Sequence, residues 1–198
     1  MLLGVISDVH CNVEALDRAV SDLQGRVDEI LLAGDAMYEY RFSNEVVDVA
    51  RRLSMRYVLG NHELVLLSPL GERARAAPGV DPDHLAFLST VPTRLETQVD
   101  GKRLCMVHAS PWAPYNDYLY ASNRLFQRCD ELDVDFLVLG HTHVPMVERF
   151  GRTLVINPGS LGESREAGHN RLVSYAVVDT SSEEVEIVRF PNPRFANI

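Results

Sequence analysis

Five short apolar runs in this chain each end on side chains that can bind a metal ion. The runs are LLGVIS, EILLAG, RYVLG, LCMV and FLVLG. The residues that follow them are Asp8-Val9-His10, Asp35, Asn61-His62-Glu63, His108 and His141-Thr142-His143. Five of the seven histidines stand at these ends, an odd outcome for scattered core or surface residues. The pattern predicts five buried strands that deliver polar groups to the edge where open α/β sheets bind their ligands.

The first half of the chain alternates strand and helix patterns. Strands are predicted over 2–7, 29–34 and 56–60. Between them lie an amphipathic helix over 12–23, with Asn12 as its N-cap and Gly25 as its stop, and a second helix that Ser43 opens. This β-α-β-α-β order implies parallel strands joined by right-handed crossovers.

The second half changes from helices to hairpins. The predicted parts are an irregular, partly helical stretch over 69–92, hairpins that turn at Asp100-Gly101 and at Gly151, a buried strand over 136–139, and closing antiparallel strands over 171–178 and 184–190. Strands covered by helices, followed by hairpins, suggest two packed mixed sheets with helices outside. We expect a single domain over residues 1–198, a length that suits one hydrophobic core.

Composition narrows the partners and the compartment. A net charge of −9 argues against nucleic-acid and anionic-membrane binding, but metal ions would keep a pocket locally positive. No apolar run approaches the roughly 20 residues of a membrane span. The first residues lack a basic leader and a cleavage pattern, so no signal peptide is expected. Three widely spaced cysteines favour a reducing compartment, and we predict the cytoplasm.

The spacing and chemistry of the candidate ligands favour transition metals. In an extended segment, residues i and i+2 point to the same side, so Asp8 with His10 and His141 with His143 can face one pocket. A mixed nitrogen and oxygen set without thiolate suits Mn, Fe or Zn better than Ca. Asn61 and a bridging carboxylate are what a paired site needs, because adjacent ions must share ligands.

These motifs resemble those of the calcineurin-like metallophosphoesterase superfamily. They are D-x-H (Asp8, His10), G-D (Gly34, Asp35), G-N-H-E (Gly60 to Glu63), the lone His108 and G-H-T-H (Gly140 to His143). The stretch Ile156 to Ser160 is similar to that of the small, single-domain phosphodiesterase branch. The resemblance implies an α/β fold, a four-layer α/β/β/α sandwich of two mixed sheets flanked by helices.

The resemblance also implies a role for each residue. Asp8, His10 and His143 would hold one metal ion, and Asn61, His108 and His141 a second, with Asp35 as the bridge. His62 would be the catalytic histidine, and Glu63 would contact it from outside the ligand set. The cofactors would be two divalent transition metals, with Mn favoured and Fe, Zn or Ni as alternatives. A hydroxide that bridges the ions would attack phosphorus while His62 protonates the departing alkoxide.

Three residues depart from the family pattern. Cys11 and Ala109 stand where glycine is common, and Glu63 replaces the commoner aspartate. We favour simple packing for Cys11, and the contact of Glu63 with His62 is left open by its extra methylene. None of the three changes removes a ligand.

The predicted function is hydrolysis of a small-molecule phosphodiester or phosphomonoester. The same metal core serves nucleotide pyrophosphohydrolases and protein phosphatases, and a retromer subunit of this fold is a non-catalytic scaffold, so these remain alternatives. The loops 38–44, 68–92 and 110–122 would set the substrate. In the last of them the aromatic residues form either a substrate wall or, as we favour, a packing or subunit contact; they are Trp112, Tyr115, Tyr118 and Tyr120. The sequence leaves a homo-oligomer open. Asn157 to Ser160 is either a plain turn or a support for the pocket.

Overall fold

The computed structural model describes residues 1–195 and contains two five-stranded sheets. The strands are β1 (Leu2–Ile6), β2 (Glu29–Leu32), β3 (Arg56–Tyr57), β4 (Arg94–Val99), β5 (Lys102–Val107), β6 (Phe136–Val138), β7 (Met146–Phe150), β8 (Thr153–Asn157), β9 (Leu172–Asp179) and β10 (Val185–Pro191). The α-helices are α1 (Val13–Leu23), α2 (Asn44–Arg52), α3 (Asn61–Leu67), α4 (Glu72–Arg75) and α5 (Pro82–Thr90). Segments of 3₁₀ helix lie at Pro69–Gly71, Arg124–Leu132 and Pro193–Phe195.

Both sheets mix parallel and antiparallel strands, as predicted. The first has the order β10-β9-β1-β2-β3, and the second has the order β4-β5-β6-β8-β7. Strands β1, β2 and β3 are parallel, as are β5, β6 and β8, whereas the remaining neighbours are antiparallel. The carboxyl ends of three parallel strands therefore meet at one edge of each sheet.

The strand alternation builds the layers of the core. In β1, Leu3 and Val5 pack between the two sheets, and Ile6 packs in the cluster that also contains the apolar side chains of α1 and α2. In β6, Phe136 and Val138 join the core between the sheets while Leu137 faces outward. This period of two gives the four-layer α/β/β/α arrangement.

The outer layer on the second sheet differs in kind from the one on the first. It consists of irregular chain and the 3₁₀ segment Arg124–Leu132, which buries Phe126 and Cys129 against the sheet. This segment is not among the elements predicted from the sequence. Its Asn123 side chain accepts a hydrogen bond from the Leu125 N–H and caps the first turn.

Both predicted N-cap residues stand in the N-cap position, but one of them makes no capping hydrogen bond with its side chain. Ser43 caps α2 by accepting from the Val46 N–H, as predicted. Asn12 precedes α1 but makes no side-chain cap, because its buried amide donates to the Leu161 carbonyl at 2.7 Å and to Asn192 Oδ1 at 3.1 Å. Tertiary acceptors in the interior thus replace the local one.

The strands end earlier than their apolar runs suggested. The run over 56–60 forms only the short β3, and α3 then begins at Asn61, with Gly60 rather than Asn61 in the N-cap position. Residues 69–92 are partly helical, as expected, and contain α4 and α5. Across residues 1–195, no helix has the length and apolar character needed to cross a membrane.

Candidate metal centre

The predicted site residues lie together at the edge where the parallel strands end. Three groups of side chains have ligand atoms within 4.8 Å of one another, and these groups share members: Asp8, His10 and His143; His10, Asp35 and His62; Asp35, His108 and His141. Asn61 begins α3 next to His62, and its carboxamide oxygen is buried. Asp8, His10, Asp35, Asn61 and His62 follow strands of the first sheet. His108, His141 and His143 follow strands of the second.

The chain reaches these positions by turns and not by strand alternation, which corrects one expectation. Positive φ angles occur at Asp8 (52°), His10 (48°), Asp35 (51°), His141 (68°) and His143 (57°). The segments Asp8–His10 and His141–His143 are therefore not extended, and the i, i+2 argument does not explain their shared direction. Non-glycine residues held in this region store strain that surrounding contacts must offset, a pattern that is common at functional sites.

Hydrogen bonds between the loops hold these turns in place. The amide N–H groups of Asp8 and His10 donate to the carbonyls of Gly34 and Asp35, each at 3.0 Å. The amide of His141 donates to Asp8 Oδ2 at 3.0 Å, so this carboxylate ties the two sheets together. Each loop that bears ligands is thus positioned by its neighbour.

Two histidines present Nε2 to the cluster because their other nitrogen is engaged. Nδ1 of His108 lies 2.7 Å from the Ala33 carbonyl, and Nδ1 of His143 lies 3.0 Å from the Glu163 carbonyl. A carbonyl can only accept, so Nδ1 carries the proton and Nε2 has the free lone pair in the neutral ring. Such outer contacts orient the histidine ligands of metal sites.

The donor atoms at the centre fit divalent cations. Nε2 of His10 and Nε2 of His143 lie 3.1 Å apart, and Nε2 of His108 lies 3.0 Å from Asp35 Oδ2. Several buried atoms of the cluster make no hydrogen bond within the described part of the chain: Asp8 Oδ1, His10 Nδ1, Asn61 Oδ1 and His141 Nε2. Unpaired buried polar atoms are costly, and a cation would satisfy those that face it.

The electrostatics of the cluster keep most of its ligands in the form that binds metal. Burial would raise the pKa of the Asp8 and Asp35 carboxyls, but the neighbouring histidines, His108 foremost, hold each pKa below its usual range. Burial lowers the pKa of His10 and of His141 to about 4. These groups are therefore anionic or neutral at pH 7, as cation ligands must be.

Glu63, whose contact with His62 the sequence left open, makes its side-chain hydrogen bonds to backbone groups. Its carboxylate accepts the backbone N–H groups of Asp35 at 2.9 Å, Met37 at 2.7 Å and Gly60 at 2.7 Å. Burial and the nearby Asp35 raise the pKa of Glu63 to about 7, although the hydrogen bonds from Met37 and Gly60 act to lower it. Because the third residue of α3 points back into the Asp35 loop, Glu63 positions that loop instead.

Glu39 occupies the place beside His62 that the sequence analysis gave to Glu63. Its Oε2 contacts Nδ1 of His62, while Nε2 of His62 lies 3.7 Å from Asp35 Oδ2. Glu39 stands four residues after Asp35 in an irregular loop, so no periodicity marks it. Its place between two tyrosines directly after a ligand is the one signal that the sequence contains.

The Asn157–Ser160 stretch supports the ligand loops, the second of its two expected roles. The Ser160 hydroxyl donates to the Asp8 carbonyl at 2.8 Å, and the Asn157 amide donates to the Gly140 carbonyl at 2.6 Å. These contacts join the loops that lead to His10 and His141.

The remaining expectations concern packing around the centre. Cys11 lies in the core, and its thiol donates to the Arg41 carbonyl at 3.4 Å, in line with a packing role. Trp112 is also buried in the core, as favoured. Tyr118, in contrast, is 46% exposed and stacks on His141 with ring centroids 3.9 Å apart, and Tyr38 stacks in the same way on His10 at 4.7 Å.

Fold and site together define a class: a two-sheet α/β sandwich with a candidate His/Asp metal centre at its strand ends. A family model for the calcineurin-like phosphoesterase superfamily domain matches residues 1–183. This chain belongs to that superfamily. The family implies hydrolysis of phosphoesters with divalent metal ions.

Similar proteins agree with this assignment. The chain is 28% identical to a probable metallophosphoesterase of Methanocaldococcus jannaschii, over 81% of this chain and 68% of that protein. A metallophosphoesterase structure from Sphaerobacter thermophilus has 27% identity and a TM-score of 0.73, and the match covers 97% of this chain and 89% of the other. An archaeal phosphodiesterase shares the fold at 17% identity, with a TM-score of 0.65 over 96% of this chain and 100% of the other.

Proposed function

We propose that the protein is a phosphoester hydrolase with a binuclear centre, acting on a small-molecule phosphodiester or phosphomonoester. The observation that carries the proposal is the position of Asp35. Its carboxylate belongs to the group with His10 and His62 and also to the group with His108 and His141. Two adjacent ions must share ligands, and a carboxylate with donors on both sides allows this.

The ligands divide between two ions. Asp8, His10 and His143 would hold the first ion, and Asn61, His108 and His141 the second, with Asp35 between them. Four positive charges would then meet two carboxylates, so the pocket stays positive toward an anionic phosphoester. The nitrogen and oxygen donor set favours Mn, ahead of Fe, Zn or Ni.

When bound, the ions supply charge for the phosphoryl oxygens and lower the pKa of the attacking water. His62 then acts as the acid: Nε2 gives its proton to the departing alkoxide oxygen as the phosphorus–oxygen bond breaks. Glu39 holds the His62 ring through Nδ1, which leaves Nε2 on the side of Asp35. Tyr38 packs edge-on against the same ring, with centroids 5.9 Å apart.

The test couples metal analysis to a substrate panel. Purified protein loaded with Mn should bind two ions and hydrolyse an aryl diester or an aryl monoester. His62→Ala should lower kcat by roughly 10²- to 10⁴-fold, the usual contribution of a general acid, at unchanged metal content. The matched control is His169→Ala, because His169 lies on the surface and outside the cluster.

The other outcomes of that panel discriminate between the alternatives. Turnover of nucleotide polyphosphates alone would indicate a pyrophosphohydrolase, and turnover of phosphopeptides alone a protein phosphatase. Metal-loaded protein that is inactive on every phosphoester would indicate a scaffold. Protein that binds none of Mn, Fe, Zn or Ni would overturn the proposal.

The proposal includes the setting of the enzyme. We infer one domain over residues 1–198, whose last three residues lie outside the described part of the chain. The three cysteines are buried and free, which supports a reducing compartment and hence the cytoplasm. The substrate would be a small molecule and not a nucleic acid, since the net charge is −9. The panel should therefore include an oligonucleotide, and its hydrolysis would contradict this part.

A further inference from the structure

A cavity of about 540 Å³ opens beside the candidate centre. Three of the predicted ligands line it: Asn61, His108 and His141. His62 is not among the described residues that line it; the His62 ring lies 4.8 Å from that of His10, and its Nε2 lies 3.7 Å from Asp35 Oδ2. Asn61, His108 and His141 therefore stand in the cavity wall, whereas the proposed acid stands outside it.

The walls of this cavity are mainly apolar. The apolar lining residues are Leu59, Leu64, Val107, Ala109, Pro111 and Tyr115, together with Pro114. Leu64 lies one helical turn after Asn61 on α3 and is 49% exposed, and Tyr115 is 66% exposed. Large apolar side chains that are left open at the rim of a concave site mark a surface for an apolar ligand group.

The cavity offers little to a second anionic group. Among its described lining residues Arg94 is the one arginine or lysine, and it is paired with Glu96. Its guanidinium lies 2.6 Å from Glu96 Oε1 and also donates to that oxygen through Nε at 2.7 Å. A further phosphate or carboxylate would therefore have to compete with Glu96 for this guanidinium.

We propose that this cavity binds the retained organic group of a phosphodiester, and that this group is uncharged and apolar or aromatic. The inference rests on the proposed function. The departing oxygen must lie near His62 to receive its proton. Because His62 does not line the cavity, the group inside the cavity is then the one that stays on phosphorus. Leu64 and Tyr115 are the residues that determine specificity for it.

The bond changes agree with this placement. The oxygen of a water molecule bonds to phosphorus, and the bond to the departing alkoxide breaks. His62 supplies a proton to that alkoxide, and one proton of the attacking water passes to solvent, from which His62 is reprotonated. The products are an alcohol and a monoester anion that keeps the other water proton and still carries the retained group. A phosphomonoester has no such group and would leave the cavity unused, so diesters with an aryl or alkyl substituent are the preferred substrates.

The test compares two diesters with the same charge and the same leaving group. They are phenyl 4-nitrophenyl phosphate and methyl 4-nitrophenyl phosphate, which differ in the retained group. For the Mn-loaded enzyme, the ratio of kcat/KM for phenyl over methyl should fall about tenfold in the double variant Leu64→Ala/Tyr115→Ala, because the lost contacts serve the phenyl group alone. Leu70→Ala is the matched control, since Leu70 is 71% exposed and lies outside the cavity.

A binding measurement supplies a readout that does not depend on turnover. Mn-loaded His62→Ala protein should bind diphenyl phosphate at least about tenfold more tightly than dimethyl phosphate in a calorimeter, and Leu64→Gln should remove most of that difference. If the wild-type enzyme hydrolyses neither these diesters nor 4-nitrophenyl phosphate, the proposed function fails. If it hydrolyses the monoester alone, the assignment of this cavity is overturned and the proposed function stands. If it hydrolyses both diesters and the ratios are the same in wild type and variants, the assignment of this cavity is overturned.

Discussion

At the scale of single residues, His108 carries a proton at pH 7 that it must lose before it can bind a metal ion. Burial would lower the pKa of His108, but Asp35 and Asp8 raise it to about 10. His10 and His141, with pKa values of about 4, carry no such proton at pH 7. An arriving ion must therefore displace the proton on Nε2 of His108.

We expect Mn uptake at pH 7 to release about one proton for this reason. Below the raised pKa of His108, the ion-free protein binds this proton and the Mn-loaded protein does not. The proton therefore competes with the ion, and the apparent affinity for Mn should rise about tenfold per pH unit from pH 6 to 8. A pH-indicator titration in weak buffer measures the release. His84→Ala, remote from the cluster, should behave like wild type. Uptake without proton release would contradict the protonation pattern.

The contact of Glu39 with His62 leads to a second prediction at this scale. Glu39→Gln keeps the size of the side chain but weakens its hold on Nδ1 of His62. Partners of this kind are worth about 10- to 100-fold in activity, so kcat should fall by that factor while metal content stays the same. Steady-state kinetics and metal analysis of the same preparation provide the measurement.

The matched control for Glu39 is Glu72→Gln. Glu72 is exposed at the start of α4 and away from the centre. Equal rates for both variants would mean that Glu39 does not position the acid.

At the scale of elements, the short turn that follows a strand determines where the candidate ligands lie. Gly60 separates β3 from α3, and a Cβ on it would lie 2.1 Å from Asp35 Oδ1. Its φ of −96° is open to any residue, so space and not backbone conformation requires glycine here. The close approach of the β3–α3 turn sets the place of the Asp35 carboxylate.

Gly60→Ala should therefore displace Asp35 and weaken ion binding while the fold persists. We expect at least about a tenfold rise in the Kd for Mn, measured by calorimetry, with native-like circular dichroism. Gly101→Ala is the contrast, because its Cβ meets open space but its φ is +76°. That change should cost about 1 kcal/mol of folding free energy and leave the Kd for Mn unaltered. An unaltered Kd for Mn in Gly60→Ala, together with a raised Kd in Gly101→Ala, would contradict this role of Gly60.

At the scale of the whole molecule, the centre joins two sheets. Asp8, His10, Asp35 and Asn61 follow strands of the first sheet, and His108, His141 and His143 follow strands of the second. The packed core between the sheets brings the two sets together. Ions held by both sets would bind the folded chain and not the unfolded one.

Mn should consequently raise the melting temperature. At 100 times its Kd, one bound ion contributes about 2.7 kcal/mol, or roughly 5–10 °C for a chain of this size. Scanning calorimetry across a Mn series measures the shift. Asp35→Asn should remove most of it, because both ions lose the shared carboxylate. An equal shift in that variant would place the stabilising ions elsewhere.

Much of this fold could be predicted from the sequence, for reasons that are local. The alternation in β1 and β6 and the spacing of apolar residues in α1 and α2 depend on neighbours a few positions away. The same holds for the site residues that follow each apolar run. Asp8 and His141 were identifiable because a polar residue after a buried strand is a local signal.

The parts that the sequence left open depend on contacts between distant segments. Glu39 meets His62, and Glu63 turns to the Asp35 loop, because two loops 20 or more residues apart pack together. The turns at Asp8 and His141 take positive φ angles because of hydrogen bonds from other strands.

The sequence by itself determined the strands, the family pattern and the candidate ligands, since each is a matter of local order along the chain. The tertiary structure alone decided how those candidate ligands face one another, which carboxylate contacts His62, and on which side the apolar cavity opens. The physical reason is that side-chain direction in an irregular loop is set by what packs against it, and those partners lie far away in the sequence.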